Sequence, residues 1–231
     1  MVGRHELILE TQFGGRSNSS TIDAAMTFVH DVHTAWNQNM VTSALTFDIK
    51  GFFDFVNHQR LLSEMQKRYI LLEYLKWTAN FLDKRKAAIC VDSIRGSSKP
   101  VKNGIPQGLP VSPILASFYS AGLLEVFQDV NALPIPEHLK AMKLTNTGIL
   151  MYVNDGKLTV SLTSIASNIT LLAEAYKIVD QWLWKVDLTL DQDKREIMHY
   201  TRCKKCRDPT THIELTEQDG SKTKILVIPT I

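Results

Sequence analysis

Two short segments, far apart in the chain, each place an acidic residue at the end of an apolar, strand-like run. Residues 46–53 read TFDIKGFF and include Asp48, whereas residues 151–156 read MYVNDG and include Asp155. Two carboxylates that meet on adjacent strands form a site for divalent cations, which can hold a nucleoside triphosphate. The two segments therefore predict a fold in which these strands are neighbours.

A stiff turn that leads into a helix lies between the two segments. Residues 104–113 read GIPQGLPVSP. Ser112 is the predicted N-cap of the helix, with Pro113 at its first position, where a missing backbone N–H costs nothing. We expect this helix to run to about Gln128.

Hydrophobic periodicity predicts the elements around these segments. Residues 20–23 read STID, a capping box that opens a helix ending near Asn37. Apolar residues then alternate with others from Thr42 to Ile49, which is typical of a strand. Asn57 is expected to cap a further helix, and another helix is expected to begin at Asn168.

Turn signals predict two hairpins. The first spans residues 86–102, with Gly96 in its turn. The second spans residues 148–161, and because Asp-Gly is a strong turn signal, Asp155 is placed at its exposed tip. The segment from Arg202 to Ser221 is polar and is predicted to be loop-rich.

Composition adds only broad limits. The chain has 231 residues, of which 44% are hydrophobic, enough for one large domain or two tightly packed lobes. A net charge of +2 is too mild to establish nucleic-acid binding, although it permits a local basic groove. Residues 1–15 lack the apolar region and cleavage site of a secretory signal, and no apolar run approaches membrane-spanning length, so neither a secretory signal nor a membrane partner is expected. The three cysteines form no disulfide framework, which favours a reducing intracellular compartment, cytoplasmic or nuclear.

Several segments, in the correct order, resemble the motifs of one enzyme family. Residues 48–57, 104–113 and 152–155 resemble motifs A, B and C of a reverse transcriptase from a non-LTR (LINE-like) retrotransposon, most like those of filamentous fungi. Residues 12–16 (QFGGR), followed by residues 20–24, resemble the finger motif of that family. The resemblance covers nearly the whole chain, and several ordered motifs are far more specific than one.

The resemblance implies an α+β fold, a polymerase palm whose antiparallel sheet carries helices on one face, with partial fingers and no thumb. Residues 1–40 would be partial fingers, and residues 41–200 the palm, with finger elements inserted at about residues 60–102. Residues 201–231 would be a polar tail that leads toward motif E and the thumb. No endonuclease domain is expected, so the chain resembles a truncated, degenerate piece of a mobile element.

The resemblance also assigns the metal ligands. Asp48 and Asp155 would bind catalytic Mg²⁺, or Mn²⁺, and the backbone carbonyl of Ile49 could face the same ion. Residues 188–191 (LTLD) resemble motif D together with Lys194, which would protonate the leaving pyrophosphate. Taken alone, Asp48 could instead cap a turn, Asp155 could be a turn residue before glycine, and Lys194 could be a solvated surface lysine.

The nucleotide contacts follow from the same resemblance. Phe53 would crowd the sugar 2′ position and so favour deoxynucleotides, although in isolation it reads as a core aromatic. Gln107 and Gly108 would contact the incoming nucleotide and the template, where a glycine allows close backbone approach. Arg16 would grip the triphosphate with its planar fork, or could simply pair with an acidic neighbour.

One position departs from the family pattern in a way that affects the chemistry. Asn154 stands where the family has the first of two aspartates in motif C. An amide oxygen can coordinate magnesium but carries no charge, so metal binding should weaken severely. Adjacent strand residues point to opposite faces, which argues against Asp155 as a substitute. Ser19 and Asp187 also depart from the family pattern.

The predicted reaction is RNA-directed DNA synthesis by two-metal nucleotidyl transfer, on an RNA template with a DNA primer and deoxynucleotide triphosphates. Asn154 is expected to reduce or abolish it. The alternative is a catalytically dead, nucleic-acid-binding remnant of a retrotransposon polymerase, and a third possibility is a chain without function. The sequence gives no indication of oligomeric state.

Two features near the C-terminus carry weaker hypotheses. Cys203 and Cys206, flanked by His199 and His212, allow a zinc site. A basic cluster around them either contacts nucleic-acid phosphates or forms a solvated loop.

Overall fold

The structure, a computed structural model, describes residues 7–128, 145–202, 212–217 and 219–228. The helices are α1 (Thr21–Asn37), α2 (Phe52–Phe55), α3 (His58–Lys67), α4 (Leu72–Leu82), α5 (Ser112–Val126) and α6 (Ile165–Lys185). The strands are β1 (Val41–Asp48), β2 (Lys86–Ala87), β3 (Cys90–Val91), β4 (Ile94–Arg95), β5 (Lys99–Pro100), β6 (Thr145–Tyr152), β7 (Asp155–Leu162), β8 (Glu196–Tyr200), β9 (His212–Thr216) and β10 (Lys222–Ile228). A 3₁₀ turn, Gln192–Lys194, precedes β8. The predicted α+β class is confirmed.

One six-stranded sheet, in the order β6-β7-β1-β8-β10-β9, organises the described residues. β1 pairs antiparallel with both β7 and β8, which puts the strand ending at Asp48 in the interior of the sheet. The prediction of an antiparallel sheet needs one correction, since β10 pairs parallel to β8. The sheet is therefore mixed.

Strand β9 corrects the prediction that Arg202 to Ser221 is loop-rich, and β10 follows directly after that segment. Ile213 and Leu215 are buried on β9, and Ile225 and Val227 on β10, while their neighbours are mostly exposed. This alternation is the signature of a strand with one face on the core. The tail thus extends the sheet over part of its length, because its few apolar residues are spaced by two.

Helices pack on both faces of the sheet, not on one face as predicted. Leu45, Phe47 and Ile49 belong to the large core that also includes the buried faces of α5 and α6. Ala44, on the other face of β1, packs against Phe28 and Val32 of α1 in a separate cluster. The second apolar layer explains why α1 is amphipathic.

Two predicted helix starts are confirmed. Ser20 and Asp23 make both hydrogen bonds of the capping box at α1. Asn57 caps α3, its side chain accepting a hydrogen bond of 3.0 Å from the backbone N–H of Arg60. These starts depend on local chemistry, so the sequence predicts them well.

Two other predicted starts are wrong. Ser112 is the first residue of α5, and its hydroxyl donates to the carbonyl of Pro106. α6 begins at Ile165 with Ser164 as its cap, and Asn168 lies inside the helix. Its side-chain amide donates to the Val41 carbonyl at 2.7 Å, which satisfies a buried polar group of the sheet.

The hairpin at residues 86–102 is present, but its turn is not at Gly96. Asp92 and Ser93, both with positive φ, connect β3 to β4. Gly96 instead donates its backbone N–H to the Ile89 carbonyl at 2.8 Å.

Within the described ranges, no helix is long and apolar enough to cross a bilayer.

Candidate active site

The two predicted acidic residues lie opposite each other in the sheet. Asp48 is the last residue of β1 and Asp155 the first of β7, and they are direct partners in the antiparallel register. Directly opposed residues project from the same face of a sheet. The fold therefore brings together two carboxylates that are far apart in the sequence.

The turn between β6 and β7 differs from the predicted one. Its central residues are Val153 and Asn154, whereas Asp155 pairs with both Asp48 and Tyr152 inside the sheet. Asp155 is thus not at the tip. Because Asn154 lies in the turn and not on a strand, the alternation of faces does not separate it from Asp155. Asn154 and Asp155 both face the end of β1.

Asn154 binds Asp48 directly. Its amide Nδ2 donates to Asp48 Oδ1 at 2.5 Å. Lys194 donates to the other oxygen, with Nζ 2.7 Å from Asp48 Oδ2. Each oxygen of the Asp48 carboxylate therefore accepts a side-chain hydrogen bond, one from a neutral amide and one from a cation.

Lys194 reaches Asp48 because the segment before β8 is tied to the end of β1. The backbone N–H of Asp191 donates to the Asp48 carbonyl at 2.8 Å, and Lys50 donates to the Thr189 carbonyl at 2.9 Å. Asp191 also lies 3.7 Å from Lys194 Nζ. The hydrogen bond to Asp48 raises the pKa of Lys194, which keeps this lysine charged.

The electrostatics of Asp155 indicate a site that favours added positive charge. Partial removal from solvent raises the pKa of its carboxyl, and the nearby Asp48 raises it further, while Lys194 acts in the opposite direction. Two carboxylates in register repel each other, and a cation between them relieves that repulsion.

A cavity of about 400 Å³ opens beside Asp48 and Asp155, where β1 ends and β7 begins. It is lined by the first turn of α1 and by the ends of the strands, including Thr21, Ala24, Ala25, Asp48, Asp155, Lys157 and Lys194. Lys157, which the sequence analysis did not single out, lies with Nζ 4.0 Å from the Phe28 ring centroid. Burial lowers the pKa of Lys157, and its only sequence signal is a lysine within an apolar strand.

The donor set at this edge consists of oxygen atoms. Asp48 and Asp155 supply carboxylates, and the Ile49 carbonyl, which accepts a 3.3 Å hydrogen bond from Phe52, keeps a second lone pair. Hard oxygen ligands suit Mg²⁺. No cluster of three or more Asp, Glu, His or Cys residues occurs in the part of the chain that the structure describes. The residues therefore fit a divalent ion with two carboxylates.

The motif A and motif B segments are joined by backbone hydrogen bonds. Ile105 donates to the Phe53 carbonyl and Gly104 to the Val56 carbonyl, both at 2.7 Å. Phe53 is half-buried, and its ring packs edge-to-face on Phe52 with centroids 5.8 Å apart. The structure thus fixes the position of Phe53 relative to the loop that follows Gly104.

Gln107 and Gly108 lie in that loop and are exposed, with Gly108 at φ +89°. A residue with a side chain rarely adopts this conformation, so glycine is needed for the turn itself. Neither residue lines the cavity beside Asp48.

Arg16 lies apart from the carboxylates. Its guanidinium donates to the backbone carbonyls of Leu9 at 3.2 Å and Gln12 at 3.4 Å. Among the described residues it makes no ion pair, so its expected acidic partner is not found there.

The C-terminal hypotheses fall mostly outside the described residues, since Cys203, Cys206 and the lysines between them lie there. His199 is buried on β8, with Nδ1 2.7 Å from the Ser43 hydroxyl.

Solved structures with a similar fold include telomerases. Apo telomerase from Candida tropicalis matches with a TM-score of 0.58 and 13% identity, over 84% of this chain and 37% of that one. Telomerase from Candida albicans in complex with a fragment of telomeric RNA matches with a TM-score of 0.55 and 12% identity, over 89% and 35%. At such identity the likeness shows the fold alone.

A family model described as "Reverse transcriptase (RNA-dependent DNA polymerase)" matches residues 1–224. The chain belongs to the reverse transcriptase family, as the motifs predicted. It is 24% identical over 185 residues to the RNA-directed DNA polymerase from mobile element jockey of Drosophila melanogaster, covering 79% of this chain and 19% of the relative. It is 29% identical over 111 residues to the probable RNA-directed DNA polymerase from transposon X-element of the same species, covering 48% and 12%. The chain thus spans a small part of the length of these relatives. Its similarity to polymerases of mobile elements supports the predicted retrotransposon origin.

Proposed function

We propose that this chain is the reverse transcriptase domain of a non-LTR retrotransposon, which copies RNA into DNA by two-metal nucleotidyl transfer and is impaired by Asn154. The partners would be an RNA template with a DNA primer, and deoxynucleotide triphosphates. The observation that carries the proposal is the in-register pair Asp48 and Asp155, which lie where β1 ends and β7 begins, in a chain of this family.

Asp48 and Asp155, with the Ile49 carbonyl, would hold Mg²⁺ or Mn²⁺. Bound there, the ions supply the positive charge that in-line transfer needs at the attacking and leaving oxygens. Asp48 is well placed for this role, since its backbone is held by β7 on one side and by the segment at Asp191 on the other.

Other side chains would orient the nucleotide and move a proton. Lys194, charged and hydrogen-bonded to Asp48, would donate a proton to the leaving pyrophosphate. Phe53 would exclude a 2′-hydroxyl, and the exposed loop at Gln107 and Gly108 would contact the nucleotide and template. Arg16 would grip the triphosphate only after leaving the carbonyls of its own turn.

The impairment has a geometric reason beyond the missing charge. Asn154 points its amide NH₂ at Asp48, so a hydrogen-bond donor lies where the family would place an acidic ligand. A metal ion needs an acceptor there, and it would also compete with this donor for Asp48 Oδ1.

The broader assignments remain part of the proposal. We assign residues 1–40 to the fingers and residues 41–200 to the palm, with finger elements at about residues 60–102 and residues 201–231 leading toward a thumb. Action inside the cell, in cytoplasm or nucleus, belongs to this proposal. Fungal origin and decay of the element stay predictions.

The second candidate function is a nucleic-acid-binding remnant without polymerase activity. The hairpin β2–β5 favours it, because positive charge is concentrated there in a chain whose net charge is only +2. Residues 83–102, which contain this hairpin, include six basic residues, Lys84, Arg85, Lys86, Arg95, Lys99 and Lys102, and two acidic residues, Asp83 and Asp92. Such a surface suits a phosphate backbone.

Primer extension on an RNA template, with Mg²⁺ or Mn²⁺, tests the proposal. We expect Asn154→Asp to raise incorporation at least about tenfold, because it adds a charge next to Asp48. Asp48→Ala in the same background should abolish incorporation. Asn80→Asp, at an exposed position of α4, adds the same charge elsewhere and should change nothing.

The outcomes separate the candidates. If all variants are inert while the wild type binds primer–template duplex, the remnant is favoured. If Asn154→Asp and Asn80→Asp behave alike, Asn154 is not the cause of any impairment.

A further inference from the structure

The segment Gln12–Gly15 lies between the turn that carries Asn154 and the helix α5. It continues the sheet beyond β6, since Phe13 donates to the Met151 carbonyl and Met151 to the Thr11 carbonyl, both at 2.8 Å. This pairing places Gln12, whose exposure is 0%, next to the β6–β7 turn.

The Gln12 side chain binds both backbone polar groups of one turn residue. Its Oε1 accepts the Val153 N–H at 2.9 Å, and its Nε2 donates to the Val153 carbonyl at 3.3 Å. The same Nε2 lies 3.3 Å from the Ser120 hydroxyl on α5. One buried amide group therefore links the turn to the helix.

Val153 needs such support because its backbone is strained. It has φ +62°, a region that β-branched residues rarely adopt. Strained backbone persists where the surroundings fix it from several sides, and such positions cluster at functional sites. Val153 is followed directly by Asn154 and Asp155.

Two glycines let the segment fit between the turn and the helix. A Cβ on Gly14 would lie 2.4 Å from Val153 Cγ2 and 2.5 Å from the Val153 nitrogen. A Cβ on Gly15 would lie 2.8 Å from the Pro113 carbonyl oxygen. The Ser117 hydroxyl of α5 donates to the Gly14 carbonyl at 2.9 Å.

We propose that Gln12 is a positioning residue of the candidate active site, which holds Val153 in its strained conformation so that Asn154 and Asp155 meet Asp48. The two hydrogen bonds between Gln12 and the Val153 backbone, called the clamp below, do not depend on the proposed function. The effect of the clamp on cation binding does rest on the proposed function. The role differs from nucleotide binding, since Gln12 is buried and its amide binds Val153, Gly14 and Ser120.

Amide hydrogen exchange tests the clamp without any ligand. Gln12→Met keeps the length of the side chain and removes its polar atoms. We expect the Val153 amide to exchange roughly tenfold faster, because it loses its buried acceptor. Amides in the middle of β1 should keep their rates, which excludes global unfolding. Gln66→Met, on the exposed face of α3, is the matched control.

A double-mutant cycle with Val153→Gly, made in the Asn154→Asp background where the proposed impairment is repaired, tests the positioning role, with Mn²⁺ affinity as the readout. Gln12→Met should weaken Mn²⁺ binding about tenfold when residue 153 is valine. It should weaken binding less than about threefold when residue 153 is glycine, which adopts positive φ without strain. A purely structural role would give equal losses in both backgrounds.

Two results would overturn the proposal: unchanged Val153 exchange in Gln12→Met, or equal losses of Mn²⁺ affinity in the two backgrounds. If Gln12→Met does not fold, Gln12→Glu replaces it, since it keeps the acceptor for the Val153 N–H and loses the donor. That variant should then leave the Val153 exchange rate within about threefold of wild type while still weakening Mn²⁺ binding. Absence of Mn²⁺ binding in every variant, with the expected exchange rates, would reject the proposed function and support the clamp.

Discussion

Asp48 accepts hydrogen bonds on both carboxylate oxygens, from Asn154 and from Lys194. A divalent cation that binds Asp48 must therefore displace or share with a protein group. Of these two groups, Lys194 is the weaker competitor for Asp48, because its side chain is 62% exposed and exposed ion pairs contribute little to stability. Lys194 thus has two opposed effects: it competes with metal for Asp48, and it holds the proton that the reaction would need.

Removing Lys194 should separate these two effects. We expect Lys194→Met to raise Mn²⁺ affinity roughly fivefold, since it frees Asp48 Oδ2 from an exposed ion pair. In the Asn154→Asp background it should lower the rate of primer extension, because the proposed proton donor is lost. Electron paramagnetic resonance titration with Mn²⁺ and single-turnover extension measure the two effects.

The matched control is Lys177→Met, which breaks an ion pair of the same length, 2.7 Å, with Glu174 on α6. It should change neither quantity. A fall in Mn²⁺ affinity in Lys194→Met would mean that Lys194 supports the site and does not compete with the cation.

At the scale of residues, the sequence predicted which side chains meet but not how they bind. The meeting of Asp48 and Asp155 followed from motif order. The hydrogen bond from Asn154 did not, because a sequence shows a lost charge and not the direction of an amide. The contact of Gln12 with Val153 joins residues 141 positions apart in the sequence, and no local pattern predicts it.

At the scale of elements, the β6–β7 hairpin shows why turn signals mislead. Asp155-Gly156 has the composition of a hairpin turn, yet both residues pair within the sheet. Gly156 is required for another reason: it lies opposite Phe47, whose ring covers it. Strand pairing fixed by the core thus overrides the local preference for a turn.

Gly156→Ala should destabilise the sheet. Its Cβ would lie 2.1 Å from Cζ of the buried Phe47 ring and within 2.7 Å of two further ring atoms. Because Phe47 packs in the main core, we expect a loss of about 2–3 kcal/mol in the free energy of unfolding. Urea denaturation measures it. Gly148→Ala, on the adjacent strand β6 with open space around the new Cβ, is the control. Equal losses of stability in the two variants would show that strand propensity, and not the Phe47 ring, determines the effect of the added methyl group.

At the scale of the whole molecule, the sequence predicted the elements better than their assembly. Periodicity located α1 and β1 to within a residue, because capping and alternation are local. It did not show that α1 packs on the face of the sheet opposite α5 and α6. It also missed β9 and β10, whose short apolar alternation lies in a polar segment. These features depend on contacts between distant parts of the chain.

The position of β9 depends on a buried polar network. Arg195, whose side chain is 1% exposed, donates through Nη1 to Glu217 Oε1 at 2.6 Å. Tyr176 of α6 donates its hydroxyl to Glu217 Oε2, also at 2.6 Å. Burial alone would raise the pKa of Glu217, but the hydrogen bonds from Tyr176 and Arg195 prevail and lower it. The folded protein therefore favours the charged carboxylate.

The lowered pKa of Glu217 determines how the free energy of unfolding depends on pH. A carboxyl whose pKa is lowered on folding stabilises the protein above its ordinary pKa, and that contribution is lost as the pH falls through the lowered value. At pH 7, Glu217→Gln should cost about 3 kcal/mol in the free energy of unfolding, since it leaves the Arg195 charge buried without its partner. The difference from wild type should shrink in acid, where Glu217 becomes protonated and neutral as well.

Urea denaturation at a series of pH values from 7 downward measures this difference. Glu214→Gln is the control, because its carboxylate is exposed and lies 3.9 Å from Lys222, an arrangement that contributes little at any pH. The prediction concerns the assembly of the whole sheet, so loss of the network should also increase hydrogen exchange in β9 and β10 more than in β1. If the cost of Glu217→Gln is the same at every pH, the charge of Glu217 is not what holds this end of the sheet to α6.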